Sequence, residues 1–64
     1  MKREDRAVWK AVSAIMKIGS AAAYRAAAES KGEERKAWEH AAEKTNEHAE
    51  NIERAVNGEA AKEN

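Results

Sequence analysis

The feature that most constrains this chain is a seam of apolar and small residues that runs regularly, stops, and restarts out of phase. Val8, Val12, Ile15, Gly19, Ala22 and Ala26 follow one another at alternating steps of four and three residues, the period of one face of an α-helix. The same steps recur through Trp38, Ala42, Thr45, Ala49, Ile52 and Val56. One straight helix cannot carry both runs. Continued by heptads, the first seam lands on Glu29, Glu33, Lys36, His40, Glu43, Glu47, Glu50 and Arg54, all of them polar. The phase breaks between the two runs, which is what a turn does.

Glu29-Ser30-Lys31-Gly32-Glu33-Glu34 supplies the chemistry for that turn. Gly32 can adopt the left-handed conformation that ends a helix, and Glu33 and Glu34 suit the positive end of the next one. Ser30, three residues before Glu33, offers a capping box as the alternative boundary. Proline is absent and Ala, Glu, Lys and Arg abound, so helix is favoured throughout, and strand alternation is missing. The expectation is an all-α fold, an antiparallel two-helix hairpin over residues 1–58. Helix 1 is placed at about 3–29, the turn at about 30–33 and helix 2 at about 34–57. Asn57-Gly58 reads as a second left-handed cap, leaving 59–64 as a frayed tail.

Near the turn the first seam is Gly19, Ala22 and Ala26, which admits close backbone approach or one large side chain, and Trp38 is expected to fill that room. Gly19 inside a helix costs up to about 1 kcal/mol relative to alanine, so close approach there is its expected reason. The first helix is apolar over more than one stripe. Trp9, Met16, Ala23 and Ala27 flank the seam on one side, and Ala7, Ala11, Ala14 and Ile18 on the other. One partner helix cannot cover both flanks, and a contiguous exposed apolar patch marks an interface. A chain of 64 residues without cysteine has no disulfide or thiolate metal staple, so self-association remains as its support. A homodimer forming a four-helix bundle is expected, with Trp9, Met16, Ile18, Ala23 and Trp38 as interface residues. A different protein partner would use the same surface.

Net charge is zero but unevenly divided. Residues 1–32 hold seven basic against three acidic side chains, and residues 33–64 five against nine. Mutual attraction of the two helices is one reading; a basic face offered to a polyanion is the other. Arg3, Lys10, Lys17 and Arg25 form a loose basic stripe along helix 1, with Tyr24 beside its far end, as phosphate contact with one stacking aromatic would require. Lys10, Lys17 and Arg25 interrupt the best apolar stretch, so no membrane span is expected. Lys17, with Glu4 and Asp5, spoils the same segment as a signal peptide, and a cytoplasmic location is expected.

Chemistry has little to work with. His40 and His48 are the only imidazoles. A metal site needs three or more converging ligands, and Ala37 and Thr45 stand where a helical Glu-x-x-His pair would put its carboxylates. Haem ligation by His48 across a dimer is conceivable, against a boundary histidine bonded to its surroundings. Ser13, Ser20 and Ser30 have no histidine at a suggestive spacing, and no glycine-rich loop cradles phosphate. No enzyme activity, cofactor or metal is expected.

The length, the hinge near residue 30 and seams at 8, 12, 15, 19, 22, 26 and 38, 41, 45, 48, 52, 55 resemble the Rop-like family of helical hairpins. That resemblance implies a homodimeric four-helix bundle that grips paired RNA loops through helix 1. The family's outer basic positions fall on Arg3 and Arg25, its central polar positions on Lys10 and Ile18, and its aromatic position on Ala14. The sequence reading is a small protein-interaction or regulatory module acting through an apolar helix face and self-association, with RNA binding through helix 1 as the alternative.

Overall fold

A computed structural model describes residues 2–63. Among them the chain forms two α-helices, α1 (Arg3–Glu29) and α2 (Gly32–Glu63), packed side by side as a hairpin. The result is a rod of 49 × 14 × 11 Å with a radius of gyration of 14.6 Å, where a compact domain of this length would have about 11 Å.

The turn combines both expected signals in a different order. Ser30 is extended, its N–H donates to the Ala27 carbonyl at 3.1 Å, and its hydroxyl donates to the Ala26 carbonyl at 2.8 Å. Ser30 therefore closes α1, and the capping box on Glu33 does not form. Gly32 does take the left-handed conformation, with φ of 62°, but it does so at the entrance of α2. Glu33 and Glu34 occupy the first turn of α2, where the helix dipole favours carboxylates.

The far end differs from expectation. Asn57-Gly58 does not stop α2, which continues as helix to Glu63; Asn64 lies outside the described residues. Geometry accounts for the extension. In an antiparallel pair with equal rise per residue, α1 from Arg3 to Glu29 is matched only by an α2 reaching about residue 59. Ala60 is half-buried there and shares a depression with Arg6 and Val56.

The face of α2 turned inward is the expected one: Ala42, Ala49 and Val56 are buried and Thr45 and Ile52 half-buried. The inward face of α1 is not. Buried on α1 are Ser13, Ser20 and Ala27, seven residues apart, with Arg6, Met16 and Ala23 half-buried beside them. Most of the expected seam is turned away: Val8, Ile15, Gly19 and Ala22 are exposed, while Val12 and Ala26 on its near edge are half-buried. The serines tolerate burial because each hydroxyl donates to a carbonyl. Ser13 reaches Lys10 O one turn back at 3.0 Å, and Ser20 crosses to Ala42 O at 2.7 Å. That second bond requires close backbones, which small side chains on both helices permit. Seven residues along each helix from this contact, Ser13 comes opposite Ala49, and seven further, Arg6 comes opposite Val56. Trp38 does not fill the seam near the turn, being 41% exposed. Gly19 is not a point of close approach within the hairpin either, because a Cβ placed on it meets nothing within 4 Å.

Candidate interaction surface

The large apolar side chains of α1 lie mostly outside the hairpin. Val8 is 59%, Ile15 68% and Ile18 72% exposed. Val8, Val12, Ile15, Gly19, Ala22 and Ala26 make a second heptad seam, roughly a third of a turn around α1 from the one facing α2. Trp9, Met16 and Ala23 fall between the two seams at seven-residue spacing, so they border both. On the same side of the hairpin, Trp9 joins Ile52, Ala55 and Val56 around a shallow apolar depression of about 300 Å³. Ala41, His48 and Ala55, all exposed, continue that side along α2.

The expected interface residues are thus distributed over three places. Trp9, Met16 and Ala23 share one stripe beside α2; Ile18 projects from the opposite flank of the outer seam; Trp38 sits on α2 near the turn. The outer seam, expected inside the hairpin, leaves Val8, Ile15, Gly19 and Ala22 exposed and only Val12 and Ala26 half-buried. The missed signal was the heptad of small residues Ser13, Ser20 and Ala27, matched in size to Ala42 and Ala49.

The opposite edge of the hairpin is polar. Lys17 Nζ meets Glu53 Oε1 across the helices at 2.8 Å. The hydrogen bond to Glu53 holds the Lys17 ammonium above its ordinary value; desolvation opposes this, and the charges of Glu53 and Glu50 reinforce it. Arg3, Lys10 and Lys17 keep the seven-residue spacing of one stripe, but Arg25 steps off it and borders a depression with Ala21 and Ala22. Arg3, Arg6 and Lys10 surround a depression of about 260 Å³ at the open end of the hairpin. Along α2, Arg35 pairs with Glu39 at 3.0 Å and Lys44 with Glu47 at 3.3 Å, exposed contacts that contribute little to stability.

Among the described residues, no three His, Asp or Glu side chains gather as a metal site would require. His40 and His48 are both exposed. Among the described residues no helix is long and apolar enough to cross a membrane. No protein-family profile, curated protein or solved structure matches the chain.

Proposed function

We propose that this chain is a helical protein-interaction module that docks the outer apolar seam of α1 against another apolar helical surface, and that it self-associates into a four-helix bundle. The observation that carries this reading is the inversion within α1. Its serines face the hairpin, while Val8, Ile15 and Ile18 face away, more than half exposed. Leaving branched aliphatic side chains in water while burying hydroxyls is unfavourable unless a further surface covers the aliphatic face.

Surface area supports the same reading. A globular chain of this mass exposes about 4,100 Å², whereas the hairpin exposes 4965 Å². The difference, about 900 Å², matches the roughly 800 Å² that each partner contributes to a standard interface. The test is light scattering after gel filtration. Wild type should run as more than one chain, and Ile15→Glu with Ile18→Glu as one chain or unfolded. An assembly unaffected by that pair would refute the reading.

A second reading rests on Arg3 and Lys10 at the open end, cations suited to phosphate. Binding of that kind weakens steeply with salt, whereas apolar docking barely responds. The pairing of Lys17 with Glu53 takes one cation out of the stripe and favours the first reading.

A further inference from the structure

We propose that the surface covering α1 is α1 of a second copy, running antiparallel, with Ile15 of each copy seated over Gly19 of the other. The proposal rests on the docking reading above and names its partner. The outer seam has a gradient of size. Val8, Val12 and Ile15 fill its first half, and Gly19, Ala22 and Ala26 its second. Antiparallel pairing about a two-fold axis near residue 17 sets Val8 against Ala26, Val12 against Ala22 and Ile15 against Gly19. Every layer then joins a large side chain to a small one, the arrangement that lets facing positions interdigitate without voids. Parallel pairing would stack Ile15 on Ile15 and Gly19 on Gly19, alternately overfilled and empty.

Gly19 supplies an independent reason. Within the hairpin it serves no purpose: it lies inside α1, a Cβ there meets nothing within 4 Å, and glycine weakens a helix relative to alanine. A second helix crossing at that point needs the missing Cβ. The two seams are about a third of a turn apart, so α1 can pack against α2 on one and a second copy on the other, as each helix of a four-helix bundle packs against two neighbours. This arrangement directs Trp9 and Met16 toward the bundle centre and closes the depression bordered by Ile52. The interface is isologous, so a seam complementary to itself is sufficient.

The absence of cysteine makes disulfide trapping clean. Chains carrying Val8→Cys and chains carrying Ala26→Cys, mixed in a glutathione buffer, should form the mixed disulfide in preference to either homodisulfide, since bridging needs Cα atoms within about 7 Å. In sedimentation equilibrium, Gly19→Leu should weaken self-association about tenfold or more by overfilling the layer, without harming the hairpin. Adding Ile15→Ala should restore much of the loss by exchanging large for small. Preferred Val8→Cys homodisulfides, or Gly19→Leu associating as tightly as wild type, would overturn the pairing. A wild type that remains a single chain at all concentrations overturns it too. If that single chain binds anilinonaphthalene sulfonate and loses the dye on Ile15→Glu with Ile18→Glu, the docking reading survives with a different partner. An assembly that ignores those two substitutions removes both.

Discussion

The two helices obey the hydrophobic pattern to different degrees, and the contrast shows what the pattern can decide. Helix α2 carries one dominant apolar stripe, and Ala42, Ala49 and Val56 on it are the residues it buries. Glu43, Glu47, Glu50 and Arg54 on its other faces are accessible. Helix α1 carries two stripes, and the hairpin buries the less apolar of them. Fit decides between them. The small side chains of α2 allow the backbones to approach, and Ser13, Ser20 and Ala27 can follow them in, whereas Val8, Val12 and Ile15 would hold the helices apart. One stripe gives a direction; two stripes leave the direction to shape.

The largest effects should separate these faces directly. Ala49→Asp puts a carboxylate at a fully buried position with no partner to offset its desolvation. The expected loss exceeds about 3 kcal/mol, comparable with the whole stability of a chain this size, so helical circular dichroism should be lost at any protein concentration. Ile15→Asp, on the outer seam, should destabilise only through lost association. Its effect on melting should therefore shrink as wild type and variant are both diluted. An Ile15→Asp loss that persists unchanged on dilution would mean that Ile15 supports the hairpin itself, and the distinction between the two faces of α1 would collapse.

How much of this was legible in the sequence follows from the same contrast. The phase break placed the hairpin, because extending the first seam onto Glu33, Lys36 and His40 has no buried solution. The inward face of α2 was legible because its apolar side chains outnumber any rival stripe. The inward face of α1 was not, because ranking by hydrophobicity places Val8 and Ile15 inside and takes no account of a serine that can donate across to Ala42 O. The candidate surface was half legible: the surplus of apolar area on α1 shows in the composition of its faces, but which stripe is surplus depends on packing. The end of α2 was misread because Asn57-Gly58 has the chemistry of a cap, while the length of α1 keeps a partner beside it.

The two glycines named as helix stops sharpen this point with opposite signs. Gly32 sits at φ 62°, where a Cβ meets no neighbour but the backbone itself is strained. Gly32→Ala should cost about 1–2 kcal/mol. Gly58 lies inside α2, again with open space around its Cβ position, so Gly58→Ala should stabilise by up to about 1 kcal/mol. Thermal melts of the two variants should move in opposite directions. A lower melting temperature for Gly58→Ala would contradict the continuation of α2 past Asn57.

The two buried serines differ next. The Ser20 hydroxyl joins the helices through Ala42 O, and Ser20→Ala should cost about 1 kcal/mol, the net worth of one such bond. The Ser13 hydroxyl returns to Lys10 O on its own helix, where it competes with the backbone ladder rather than linking elements. Ser13→Ala should be within about 0.5 kcal/mol of neutral, alanine being the better helix former. Denaturant titrations that rank the pair in reverse would show that α1 does not approach α2 as closely at Ser20 as the bond implies.

The smallest effect belongs to the polar edge, and it tests whether that edge does anything beyond facing water. Lys17 and Glu53 bridge the helices, and the bond raises the Lys17 pKa above its ordinary 10.5. A lysine held higher in the folded state than in the unfolded one contributes its stability fully below pH 10.5. That contribution disappears as the pH rises through the folded value. Wild type should therefore lose slightly more stability than Lys17→Met across that alkaline range, and the gap between them near neutrality should narrow as salt screens the exposed pair. If Lys17→Met falls as far as Ser20→Ala at neutral pH and salt leaves the deficit untouched, the lysine acts through its aliphatic stem packed against α2. The polar edge would then be a second packed edge, and the division of the hairpin into a polar and an apolar side would need redrawing around it.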